Sequence, residues 1–228
     1  MPVTLTIPLN GHTSANNYLK DQLSIPMPIR KQLWSMIISE KIRGQIQVLR
    51  NHHIDASPLE ILLPNIKSGD IDNIEGQAAA RYWKLLFGAD FIRERREEGI
   101  NAWLNYGYGI VRATIARSVI AGGLHPSIGI WHDNQHNYFN LVDDLIEPFR
   151  PLVDNMIKYL SLKNDSPLLT SEMKKEILSI LTYDIPFRER KENITSLLRG
   201  YVASFRDGFS ESKKFEIPQI STFLQNLQ

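Results

Sequence analysis

The chain has 228 residues, 43% of them hydrophobic, which is enough for one buried core with at most a small second unit. It holds no cysteine, so disulfide scaffolds, thiolate zinc sites and cysteine nucleophiles are excluded, and the absence agrees with a reducing compartment. A formal net charge of +1 is not the strongly basic balance of many nucleic-acid binders, so local patches have to carry any such binding.

The first nine residues, MPVTLTIPL, alternate and are β-branched, and they read as one strand. They lack the basic start and long apolar stretch of a secretory signal, and no run of about 18 apolar residues occurs. The expected compartment is the cytoplasm. Past residue 14 nearly everything reads helical. Ile29, Leu33, Trp34, Ile37, Ile38, Ile42, Ile46 and Leu49 recur at helical spacing over 28–53. SPLEILLPN is a short helical piece stopped near Pro64, SGD is a turn, and the helix DNIEGQAAARYWKLLFG ends at Gly88. A further helix covers 99–121, GGLHPSIG is a loop, and one helix is expected from about Asn137 to Leu160. Two more are expected over 170–182 and 189–206. The sequence NIT at Asn193 matches a glycosylation pattern, without the secretory features that would give it meaning.

Charge concentrates in two places. Between residues 81 and 117, seven basic residues stand against four acids. That modest excess fits either solvated helix faces or phosphate contacts. The helix after Asn137 sets an apolar stripe (Phe139, Leu141, Val142, Leu145, Ile146, Phe149) against Asp143, Asp144, Glu147 and Asp154. Asp144 and Glu147 are i,i+3, and Asp143 and Glu147 are i,i+4, so either pair can point to one spot. Like charges so close either face water or are neutralised by a cation. Pro148 and Pro151 interrupt this helix, and a bend there could aim the acids into a cleft.

His132 and His136 are four apart, as in the zinc pattern H-E-x-x-H, but the glutamate that should follow the first histidine is absent. Glu75 precedes the small residues of GQAAAR, which permit close helix packing and would carry the acid inward. It reads equally as a first-turn acid favoured by the helix dipole.

Three segments then carry a resemblance: EGQAAARYW (75–83), LNYGYGIVRATIARSVIAGGLHPSIGIWH (104–132) and NLVDDLIEPFRPLVD (140–154). Together, in order and at fitting spacing, they resemble the CRISPR-associated integrase and endonuclease family of the adaptation module, in its type II-like branch. The resemblance runs from about Thr6 to the end. It implies a mainly α fold, the helical C-terminal catalytic domain of that integrase, with one residual N-terminal strand. Residues 1–12 would be the remnant of a β domain, most of which is missing from this chain, and 13–228 the metal-dependent helical domain. The family's metal ligands fall on Glu75, His132 and Glu147, with Asp144 as a supporting acid. His136 and His125 match no ligand.

Such a donor set implies Mg²⁺ or Mn²⁺. The implied reaction is attack of a spacer 3′-hydroxyl on a phosphodiester of the CRISPR array, or hydrolysis when water attacks instead. Implied partners are double-stranded DNA, a second copy of the chain in a homodimer and the small second adaptation protein. Arg81, Lys84, Arg112 and Arg117 are the phosphate-contact candidates. Tyr106 and Tyr108 either stack near the site or pack as an aromatic pair. Two alternatives stand beside the integrase: an inactive DNA-binding fragment of the same family, and an unrelated all-α metal phosphoesterase.

Overall fold

The computed structural model describes residues 15–94, 98–164 and 166–227. The expected strand in residues 1–12 lies outside them, and the division at residue 12 stays an expectation.

Helix α1 (Ala15–Leu23) leads into α2 (Met27–Asn51), the longest helix. Pro28 sits in the first turn of α2, where a missing N–H costs nothing. The apolar spacing of α2 buries Leu33, Trp34, Ile37, Ile38, Ile42, Val48 and Leu49 completely or nearly so. It is packed by α4 (Ile74–Phe87), α7 (Arg150–Ser161) and α10 (Ile220–Gln225). SPLEILLPN forms α3 (Ser57–Glu60) followed by a 3₁₀ turn (Leu63–Asn65) that contains Pro64. The fifth helix, α5 (Ile100–Ala121), starts after Gly99 and packs on α7 and on α9 (Ile194–Asp207). Two glycines let these helices close on α7. A Cβ on Gly44 would lie 2.7 Å from Pro151 Cγ, and one on Gly107 would lie 2.5 Å from Val153 Cγ1.

The N-terminus of α4 is fixed twice. Asn73, at φ 51°, accepts a hydrogen bond from the Gly76 N–H through its side chain, and the Asp70 carboxylate accepts from the N–H groups of Ile74 (2.8 Å) and Glu75 (2.9 Å). Gly88, at φ 109°, ends the helix as expected.

Two expectations need correction. The run from Asn137 to Leu160 is not one helix. It is α6 (Asn140–Leu145), a 3₁₀ turn (Glu147–Phe149) and then α7. Pro148 sits in the first turn of the 3₁₀ segment and Pro151 in that of α7. Each proline therefore starts a new element, where its absent N–H and fixed φ fit, rather than bending an existing helix. The second correction concerns 189–206. After α8 (Ser171–Leu178) and a 3₁₀ turn, Asp184–Phe187 (β1) and Arg190–Asn193 (β2) form an antiparallel hairpin, with Phe187 opposite Arg190 and Asp184 opposite Asn193. Its two-residue turn puts Arg188 and Glu189 at φ 50° and 62°, the backbone of a type I′ turn without the usual Asn-Gly. Helix α9 begins only at Ile194, capped by Asn193, whose side chain accepts from the Ser196 N–H. The fold is otherwise mainly α, as the sequence implies. None of the described helices is long and apolar enough to cross a membrane.

Candidate active site

The three acids that crowd one stretch of sequence separate in space, and each meets different partners. Asp143 takes a two-pronged contact from Arg112, Nε to Oδ1 at 2.5 Å and Nη2 to Oδ2 at 2.9 Å, and it also accepts from Asn137. Asp144 turns to the loop before α6. Glu147 leaves α6 altogether and, from the 3₁₀ turn, reaches α2 and α7.

Asp144 is fully buried. Its Oδ2 accepts from the backbone N–H of Ile130 (2.6 Å) and Trp131 (3.0 Å), and its Oδ1 from the N–H of His132 (3.2 Å) and from His132 Nδ1 (2.6 Å). Burial pushes this carboxyl upward, against the imidazole and the N–H donors that favour its ionised form. The bond to Asp144 outweighs burial and raises the His132 pKa. The loop can come this close only because residue 129 is glycine: a Cβ there would lie 2.2 Å from the His132 carbonyl and 2.8 Å from Asp144 Oδ2. Buried Trp34 closes one side, stacking on Trp131 at 5.8 Å and meeting the His132 ring edge-on at 5.5 Å. With Nδ1 tied to a carboxylate, Nε2 is the nitrogen left to bind, as in many metal-ligating histidines.

Glu147 is held between two cations. Arg150 Nε lies 2.8 Å from its Oε1 and Lys41 Nζ 2.5 Å from its Oε2. The lysine approaches off-axis, so that oxygen is in an ion pair without a well-aligned hydrogen bond. Burial alone would raise the Glu147 pKa, but Arg150 and Lys41 prevail and hold it down at about 2. The same ammonium lies 2.6 Å from Glu75 Oε1, reached from the capped first turn of α4. Lys41 loses charge stability by burial and gains more from Glu147 and Glu75, so its pKa is raised. Thus α2, α4 and the 3₁₀ turn bring Glu75 and Glu147 to one shared cation.

That shared ammonium marks a place where both carboxylates face a positive charge, and carboxylate oxygens suit Mg²⁺ or Mn²⁺. His132 is not drawn into the cluster. Among the described residues no group of three or more His, Asp and Glu side chains is gathered closely enough to hold a metal. The two carboxylates share the Lys41 ammonium, and the imidazole is oriented separately by Asp144.

A cavity of about 240 Å³ adjoins Glu147, lined by Lys41, Gln45, Trp83, Arg93, Tyr108, Arg150 and Asp154. Asp154 is buried and accepts from the hydroxyls of Tyr82 and Tyr108. Burial, only partly offset by these bonds, pushes its carboxyl up to about 7.

Residues 17–175 match the family described as CRISPR associated protein Cas1. The chain belongs to the Cas1 family. The CRISPR-associated endonuclease Cas1 of Neisseria meningitidis serogroup C is 36% identical over 210 residues, covering 89% of this chain and 68% of that protein. Among solved structures, a casposase bound to integration product superposes with TM-score 0.74 at 22% identity, over 96% of this chain and 71% of that one. A chain of a Cas6-RT-Cas1–Cas2 complex superposes with TM-score 0.76 at 18% identity, over 95% of this chain and 28% of that one. At such identities the two superpositions establish the fold.

Within this Cas1 chain, the phosphate-contact candidates divide. Arg81, Lys84 and Arg117 are exposed. Arg81 donates to the Pro58 carbonyl, and Arg117 to the Thr114 hydroxyl. Arg112 is committed to Asp143 and lies over the Phe139 ring at 4.6 Å. Tyr108 is buried on Asp154, whereas Tyr106 packs part-buried against the core. His136 is exposed and bonds locally to Asn134, and His125 pairs with the Ser127 hydroxyl. Sequence reasoning missed Lys41, Gln45 and Arg150, and it set Asp154 opposite the apolar stripe, whereas the structure buries it completely. The signal for the first two was present: Lys41 and Gln45 interrupt the apolar face that Ile37, Ile38, Ile42 and Leu49 define on α2.

Proposed function

We propose that this chain carries a metal-dependent DNA endonuclease and integrase activity of CRISPR adaptation. The observation that carries it is the convergence of Glu75 and Glu147, from separate elements, on one buried cation, beside a histidine whose Nδ1 is locked by Asp144. Membership of the Cas1 family supports it.

Glu75 and Glu147 would hold Mg²⁺ or Mn²⁺, with His132 Nε2 as the third ligand. When bound, the ion polarises a phosphoryl oxygen and stabilises charge on the attacking or leaving oxygen. The protein's part is orientation. Asp144 fixes the imidazole tautomer and its direction. Arg150 keeps Glu147 ionised at any working pH and fixes one of its oxygens, leaving the other for the cation. Arg81, Lys84 and Arg117 offer exposed charge for DNA phosphates, and Arg112 contributes mainly by holding Asp143. A 3′-hydroxyl as nucleophile gives strand transfer, whereas water gives cleavage. Neither needs a covalent enzyme intermediate.

Double-stranded DNA, a second copy of the chain and the small second adaptation protein are the proposed partners. Two of the similar folds support the first and the last of these: one belongs to a complex of Cas1 with Cas2, and the other to a casposase bound to integration product. Cleavage of a branched or linear duplex in Mg²⁺ or Mn²⁺ tests the activity. Glu75→Gln, His132→Ala and Glu147→Gln should each lower the rate at least a hundredfold while leaving the fold intact. Full activity in all three refutes the assignment.

A further inference from the structure

Lys41 is an unusual residue to find at such a site. It is buried, it sits on the core face of α2, and its ammonium is shared by Glu75 Oε1 and Glu147 Oε2 at 2.6 and 2.5 Å. These are the two carboxylates that the function proposed above gives to a divalent ion. Oxygens that bind Mg²⁺ stand roughly 2.0–2.1 Å from it. An ammonium held on the same oxygens would stand beside that ion, charge against charge, in a low-dielectric setting. Lysine and a divalent cation therefore compete for one pair of acids.

The structure also offers the lysine somewhere to go. Lys41 borders the 240 Å³ cavity beside Glu147. Gln45 borders it too, one helical turn beyond Lys41 and on the same face. Gln45 is 2% exposed, and its Oε1 is buried with no hydrogen-bond partner. A buried acceptor without a donor is costly to keep, and such groups are few in a folded protein. An ammonium has three donors on a flexible four-carbon stem, and the Asp154 carboxyl lines the same cavity.

We infer that Lys41 is a placeholder for the divalent ion: it holds Glu75 and Glu147 together in the cation-free protein and withdraws onto Gln45 Oε1 when the ion binds. The inference rests on the cation site proposed above. Lys41 is thus a positioning residue whose presence lowers metal affinity, the opposite of what a ligand or a purely structural residue would do.

The test is Mn²⁺ binding to the full chain, followed by loss of the electron paramagnetic resonance signal of free Mn²⁺. Wild type, Lys41→Met, Gln45→Leu and Glu147→Gln are compared, with circular dichroism melts to check folding. Lys41→Met should bind Mn²⁺ at least tenfold more tightly than wild type and show a larger Mn²⁺-induced rise in melting temperature. Gln45→Leu should bind about threefold or more weakly, because the displaced ammonium loses its acceptor. Equal or weaker binding by Lys41→Met overturns the placeholder role. If that variant does not fold, unchanged affinity in Gln45→Leu overturns it instead. Binding that is lost in Glu147→Gln but unaltered in Lys41→Met keeps the cation site and removes the inference. No binding by any folded protein in the set removes both.

Discussion

Replacing Asp144 by asparagine separates the orienting role of this acid from the ligand role proposed for its neighbours. The carboxylate accepts four hydrogen bonds, two on each oxygen, from the N–H groups of Ile130, Trp131 and His132 and from His132 Nδ1. An amide keeps one accepting oxygen, so one pair of donors must face an NH₂ group. Two bonds to a charged acceptor are worth about 1.5–3 kcal/mol each. The neighbouring Trp131 and His132 are partly open to water, which lets the loop recover some of that loss. The expected destabilisation is therefore about 2–4 kcal/mol in urea denaturation at pH 7. A second readout is specific to the histidine. Its pKa is raised chiefly by the bond to Asp144, against burial, so in Asp144→Asn it should fall to or below the ordinary value of about 6.5 when followed by NMR titration. A raised folded-state pKa contributes stability that is complete below the unfolded value and disappears as pH climbs through the folded one. The cost of the substitution should accordingly be larger at pH 5.5 than at pH 9. An unchanged His132 titration, or a loss below about 0.5 kcal/mol, refutes the orienting role.

Further outcomes follow from the same geometry. Glu147, depressed to about 2, contributes stability that is present above the ordinary glutamate pKa and lost as pH falls toward 2, so wild type should lose stability across that window and Glu147→Gln should lose less. Asp154, raised to about 7, has the opposite sign: its contribution is complete below the unfolded aspartate value and is lost as pH rises to 7, and Asp154→Asn should flatten the stability profile between about pH 4 and 7. Lys84→Ala should weaken DNA binding and reduce its salt slope by about 0.9, measured by fluorescence anisotropy, whereas Arg112→Ala should mainly cost stability, about 1–3 kcal/mol, because Asp143 keeps only its bond from Asn137. Gly44→Ala places a Cβ 2.7 Å from Pro151 and should destabilise by about 1–3 kcal/mol in urea denaturation, since α2 and α7 must part.

The helices that position the site were legible because their signals are local. Periodic apolar residues mark α2, α4 and α5, and Gly88 and Gly99 mark two of their ends. The hairpin at 184–193 was not. Its second strand, RKEN, has no apolar alternation, and its turn uses Arg188 and Glu189 at positive φ, which no short-range rule anticipates. Prolines 148 and 151 were visible, but the sequence does not say whether a proline bends a helix or begins a new one. Packing of the Glu147–Phe149 turn on α2 decides that here. The acids were legible as a group. Their division among Arg112, His132 and the Lys41–Arg150 pair was not, because each of these partners comes from a different element and only tertiary contact pairs them. The resemblance, rather than spacing, singled out Glu75 and Glu147, and their meeting at Lys41 depends on how α4 is capped by Asp70 and Asn73.

Strand transfer tests the proposed metal-dependent integrase activity most directly. A short duplex with free 3′-hydroxyl ends is incubated with a supercoiled plasmid carrying a CRISPR array, the small second adaptation protein and either Mg²⁺, Mn²⁺ or a chelator, and covalent joining is read on a gel. Joined product is expected with Mg²⁺ or Mn²⁺, none with the chelator, and at least a hundredfold less with Glu147→Gln. Joining that persists in the chelator, or at wild-type rate in Glu147→Gln, would contradict the proposed activity.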